Sequence, residues 1–335
     1  MQDVWSALVY GRPPHISASN WSVQEVIGSD FPERSVDEDE EDGSSEVEKG
    51  RILFMAMINL STLLLDVLDA LYSHRAESDI RMAADGTRFV LERAKPIQLK
   101  LRTWHTNLPE CLRMDNLTPR KLSSQGYLHL AYFAIEITLH RRIIRSLSSD
   151  TDPYITQICR SAAKTRLLSA LDFVARLKPE HLQSFWYFAS KVNFALIGSF
   201  NSLLWVTAIT QDEADFYQRR LQEYRWALRV SSKSAGFLDL ASGILESAVG
   251  VVFKMANSTT AIDLSPTTDS TGQLMSEGVI VDSISPNTER NASDLIPESN
   301  FLIDTRPGRA ESMIWAAHYA EGLDEAIGNH GGRLR

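Results

Sequence analysis

The sequence predicts an all-α, multi-helix domain, broken near its start by an irregular acidic loop and followed by a disordered C-terminal tail. Three observations carry this reading. From Val47 onwards, over about two hundred residues, apolar positions recur at helical spacing, with few internal prolines and no convincing alternation of the strand kind. With 335 residues, 44% of them hydrophobic, the chain can bury one large core or two smaller ones. After Met255 the composition shifts to Ser, Thr, Asp, Asn and Pro, which bury too little apolar area to offset the entropy lost on ordering.

Residues 1–10 read as the end of a helix, stopped by "GRPP", where Gly11 supplies a C-terminal cap and Pro13 and Pro14 cannot continue the helix. From Ser17 to Gly50 the chain is polar and irregular. Its run Asp37 to Asp42, "DEDEED", is six like charges that repel, and it reads as a solvated loop. Helices are expected near 48–75, 79–105, 124–147, 152–176, 180–209 and 212–256, with breaks at Pro-, Ser- and Asp-rich stretches and Pro179 opening a first turn. Residues 1–256 form one domain on this reading and 257–335 the tail. Within the tail, Ala310 to Ile327 has Met313, Ile314, Ala317 and Leu323 near helical spacing, which reads as either a frayed extra helix or a short one that docks on a partner.

Charge and cysteine content exclude several functions. A net charge of -9 argues against a polyanion binder, because neutralising phosphates needs a positive face. Two cysteines, Cys111 and Cys159, provide neither a disulfide scaffold nor a cysteine-rich zinc site, and they suit a reducing intracellular compartment. The first residues lack a basic segment followed by an apolar one, so a secretory signal is not expected. The apolar stretches 52–72 and 192–209 read as buried core helices rather than membrane spans, the first because it carries Asp66 and Asp69.

The chemically richest stretch is Tyr127 to Arg145, "YLHLAYFAIEITLHRRIIR". On a helix His129, Tyr132, Glu136 and His140 stack along one stripe, while Leu130, Ala131, Ala134 and Ile137 occupy another. Glu136 and His140 are too few for zinc, and no "HExxH" or Cys pair adds ligands. The stripe therefore reads as polar groups hydrogen-bonded inside a helical core, or as the lining of a small-molecule cavity. The arginines of "HRRIIR" fall in the last turns, where cations interact favourably with the helix dipole and need no nucleic acid. There is no "GxSxG" and no phosphate-cradling glycine loop, so no catalytic residue is identified. Phe185, Phe188, Val192, Leu196 and Phe200 recur at helical intervals and read as core.

The order "GRPPHI" (Gly11 to Ile16), an acidic loop, a long apolar helix and then "YLHLAYFAIEITLHRRII" (Tyr127 to Ile144) resembles the fungal-specific transcription factor domain. This is the all-helical regulatory region that follows the zinc cluster in fungal Zn2Cys6 regulators, also called the middle homology or xylanolytic-activator regulatory domain. Gly11, Arg12 and Pro13 match the family's first motif. Leu128, His129, Leu130, Tyr132, Leu139, His140 and Arg141 match its later "LHLxYxxxxILLHRP", with Arg142 where the family often has proline. Together with residues 154–205, that departure looks closer to nitrogen-pathway co-activators that respond to GABA or allantoin.

The resemblance covers roughly residues 1–256. It implies a nuclear protein that controls transcription by RNA polymerase II, works with co-regulators and possesses no catalytic site. Gly11, Arg12, Pro13, His129, Tyr132, Glu136, His140 and Arg141 are its motif and pocket candidates. A small-molecule effector is compatible with it. No cofactor is expected in this chain: zinc belongs to an upstream cluster that the sequence does not contain, since it opens inside the domain. DNA is then reached through such a missing module or a partner factor, as expected of either a fragment or a naturally shortened regulator. A helical enzyme of the isoprenoid-synthase kind is the competing class, but it needs an Asp-rich metal motif on a helix wall, and "DEDEED" is flanked by Gly and Ser. A co-activator scaffold without a ligand is a third reading.

Overall fold

The computed structural model describes residues 1–16, 22–31, 41–115 and 121–262. Among these residues the structure is helical, with no strand: α1 (Gln2–Tyr10), α2 (Glu41–Leu71), α3 (His74–Met82), α4 (Gly86–Thr106), α5 (Gln125–Ser146), α6 (Pro153–Ala175), α7 (Pro179–Leu182), α8 (Ser190–Val206), α9 (Gln211–Ser232) and α10 (Phe237–Ile262). The anticipated tail, including the helix expected over 310–327, lies outside the described residues. So do Asp37 to Glu40.

α5 is the axis of the fold. It packs against α2, α4, α6, α8 and the short α7, so every residue from Gln125 to Ile144 is buried. A helix surrounded on all sides needs no polar face, which explains why the two stripes read from its sequence do not separate a wet side from a dry one. α8, α9 and α10 form a second packing group, joined to the first by the α5–α8 contact. Tyr224 of α9 donates its hydroxyl to the carbonyl of Phe194 in α8, 2.7 Å away.

α2 is, among the described residues, the one helix whose length and apolarity suffice to cross a membrane. Leu60, Leu64, Val67 and Leu71 on it are fully buried in the protein core. Asn59, Thr62 and Asp69 on other faces are exposed, and Asp66 is held 2.7 Å from Lys100 of α4. An apolar inner face and a polar outer one describe a core helix.

The first motif has a structural explanation. Gly11 takes the left-handed backbone at φ 60°, where glycine carries no steric penalty, and closes α1. The chain then turns back so that Asp3 accepts the amides of His15 at 3.1 Å and Ile16 at 3.0 Å. α1 is fixed to α2 by Trp5, whose indole N–H donates to Ser61 across 2.8 Å.

Four expectations about boundaries are corrected. α2 begins at Glu41, so the last two acids of "DEDEED" and the Gly43–Ser45 stretch are helical rather than loop. The helix expected over 79–105 is two, because Asp85 caps α4 by accepting the amide of Arg88 at 2.9 Å. The helix expected over 180–209 is interrupted at Gln183–Ala189. Ser184 donates to the carbonyl oxygens of His181 and Ser123, which ties that segment to the start of α5. Phe185 is consequently 61% exposed rather than core, and Trp186 takes the inner place against Phe194 and Phe237. The helix expected over 212–256 breaks before Phe237, and α10 continues to Ile262, six residues beyond the expected end of that helix.

Candidate functional site

The sequence candidates on α5 fall into one buried polar cluster. Glu136 Oε2 lies 3.3 Å from the guanidinium of Arg166 on α6, with side-chain exposures of 3% and 7%. Tyr132 lies beside Glu136; burial, then the neighbouring carboxylate, raises the Tyr132 pKa well above the usual tyrosine value. Trp104 and His105 at the end of α4 cover the Tyr132 ring, with centroids 5.7 and 4.7 Å away. Phe173 of α6 flanks His129 and Phe133.

His129 fastens a loop rather than presenting a reactive nitrogen. Its Nε2 lies 2.9 Å from the carbonyl oxygen of Leu112. Burial pushes its pKa down to about 4, and burial lowers that of His105 as well, so both rings are neutral near pH 7. A second tie runs beside it, since the Gln125 amide donates to the carbonyl of Cys111, 2.5 Å away. The loop from Asn107 to Asp115 is thereby pinned across the start of α5.

The other candidates are placed differently. His140 is fully buried on α5, and Arg141 is 6% exposed. Their neighbour Arg142 pairs with Glu77 of α3 at 2.7 Å and stands over the Tyr72 ring. Gly11, Arg12 and Pro13 are exposed at the end of α1 and belong to the turn described above. The structure thus gathers His129, Tyr132 and Glu136 with Arg166 and His105, and leaves the first motif on another element.

Sequence reasoning missed Arg166 and His105. Arg166 had a legible signal: it falls between Ala163 and Ala170 at i+3 and i−4, on the buried stripe of α6, where a lone cation needs a buried carboxylate. His105 had none, because its place depends on where α4 ends.

What the cluster can do chemically is restricted. The carboxylate is neutralised by a guanidinium, and the histidines are neutral and packed between rings. Among the described residues no group of three or more His, Cys, Asp or Glu side chains converges as a metal would need. Nor do the residues fit the family's zinc cluster: Cys159 is buried in α6, Cys111 is partly buried after α4, and two thiols cannot supply a six-cysteine centre.

Residues 1–106 match the model of the fungal specific transcription factor domain. The chain is 36% identical over 266 residues to the transcriptional activator protein DAL81 of Saccharomyces cerevisiae, an alignment covering 70% of this chain and 27% of that protein. The chain therefore spans about a quarter of the length of the curated relative it matches. No solved structure matches it. Both the domain and the relative are those of transcription regulators, not of enzymes, which removes the helical-enzyme reading. The chain is thus similar over residues 1–106 to the fungal specific transcription factor domain, and over 70% of its length to this transcriptional activator.

Proposed function

We propose that this chain is the regulatory, effector-response region of a fungal zinc-cluster-type transcription regulator, acting in the nucleus on nitrogen or other catabolic genes transcribed by RNA polymerase II. The observation that carries the proposal is the 36% identity to a transcriptional activator over 70% of this chain. The physical properties support it. The chain is acidic, with net charge -9, and the buried carboxylate of Glu136 is neutralised by Arg166, which suits contact with proteins or small molecules better than with a polyanion. DNA is reached through a module or partner factor outside these residues, and co-regulators bind the helical surface.

The test is a tethered reporter. Residues 1–335 fused to an unrelated DNA-binding domain should change transcription from a promoter carrying that domain's site, and the change should depend on nitrogen source. A fused protein that is nuclear and folded yet leaves the reporter unaltered in every medium would refute the proposal. A constant effect independent of medium would favour the ligand-free scaffold.

A further inference from the structure

A cleft of about 530 Å³ opens between the loop joining α5 to α6, the first turns of α6, and the residues leading into α9. It is separate from the polar cluster around Glu136. Its ionisable lining is Arg160, Lys164 and Glu213, and Thr156, Gln157 and Ile209 contribute hydrogen-bonding and apolar surface. We propose that this cleft is a binding site for a small organic acid carrying a single carboxylate, held by Lys164 and Arg160.

The argument rests on which groups the fold has already used. Glu213 is saturated: its Oε1 accepts from Arg160 Nη2 at 2.9 Å and from the Tyr217 hydroxyl at 3.3 Å, and its Oε2 accepts the amide of Ile209 at 3.0 Å. That carboxylate fixes Arg160 in place and has little acceptor capacity left for a ligand cation. Arg160 uses one of its five N–H groups on Glu213 and is 10% exposed, so its guanidinium is a pre-positioned donor in the cleft. Lys164 is exposed, stands 4.2 Å from the centroid of the Phe216 ring and has no ion pair among the described residues.

The helix ends nearby are not the donors. Asp152 caps the amides of Tyr154 and Ile155 in α6, and Thr210 caps that of Glu213 in α9. The attraction for an anion therefore comes from two cations set against one carboxylate. Such a balance suits a monoanion. A nucleotide or polyphosphate would bring several charges that the cleft does not neutralise. The volume falls within the range of small-molecule sites, and the apolar contact offered by Pro153 and Ile209 favours a short carbon chain over an inorganic ion.

This deepens the effector-response reading and rests on it only for its consequence in the cell; the binding itself is measured on the isolated chain. In the full chain with methyl-labelled isoleucine, the Ile209 methyl resonance is followed as sodium lactate, sodium propionate or sodium phosphate is added at constant ionic strength. The expected result is a saturable shift of Ile209 with at least one of the two carboxylates, no comparable shift of the core residue Ile97, and an affinity about tenfold weaker in Lys164→Gln. Lys164 is exposed, so this variant keeps the fold. No saturable shift with either acid, an undiminished shift in Lys164→Gln, or equal response to phosphate would each overturn the proposal. Binding without any reporter response would leave the site standing and count against the function proposed above.

Discussion

His129 Nε2 and the carbonyl oxygen of Leu112 lie 2.9 Å apart in the buried heart of the molecule, joining the central helix to the loop after α4. The bond fixes the ring where burial holds its pKa at about 4, against 6.5 for an unperturbed histidine. Above pH 6.5 the ring is neutral whether the chain is folded or not. As pH falls below 6.5 the unfolded chain takes up the proton first, so stability is lost down to about pH 4 and levels off below it. His105 and His181 are shifted in the same direction by burial and add to the loss. Thermal melts should show the midpoint falling between pH 6.5 and 5. His129→Gln should be less stable at pH 7.5, yet its pH slope should be shallower by about 1.4 kcal/mol per pH unit. An unchanged slope would show that this ring does not drive the acid sensitivity.

Gly198 sets how closely α8 and α10 approach. A Cβ there would lie 2.4 and 2.6 Å from the two methyls of Leu245, which is 1% exposed and has no room to withdraw. Gly198→Ala gains about 1 kcal/mol of helix propensity. Overpacking costs about 1–3 kcal/mol, so the net effect is a lower melting temperature. Adding Gly198→Ala to a Leu245→Ala background should instead raise stability. Denaturant unfolding of the three variants reads both signs.

Duplex DNA should meet this chain only weakly. With net charge -9 and two cysteines, it provides no polycation face and no zinc-cluster reader. Fluorescence anisotropy at physiological salt should detect no sequence-selective binding in the nanomolar range. Selective binding that weakens steeply with salt would place a DNA reader inside these residues.

The sequence made the central part of this fold legible and its edges less so. α5 and α6 fall within a residue or two of their expected bounds because an uninterrupted apolar period is followed by a strong stop and start, Leu147 to Pro153, in which Asp152 both caps and precedes a proline. The break between α9 and α10 had only Gly236 to mark it, among residues that a helix also accepts. Gln183–Ala189 was hidden for a different reason: its seven residues have helical spacing, but hydrogen bonds from Ser184 and Trp186 to His181 hold them in another conformation. Tertiary packing overrode local propensity there, and Gly126, whose absent Cβ would lie 2.9 Å from Trp186 Cη2, is what admits the indole. Of the polar cluster, Tyr132 and Glu136 could be read together from helical spacing. Their partner Arg166 lies thirty residues on, and pairing across helices leaves no period in the sequence.

The polar groups of α5 hold the helical fold together rather than perform chemistry, and the coupling between Glu136 and Arg166 is where this is measured. Glu136→Leu leaves a guanidinium buried without its carboxylate, and Arg166→Leu the reverse, so each should cost about 3–5 kcal/mol. The double variant, with neither charge, should recover most of that loss, giving a coupling energy of at least about 2 kcal/mol by denaturant unfolding. Single variants as stable as the parent, with a double variant that is merely their sum, would contradict the claim.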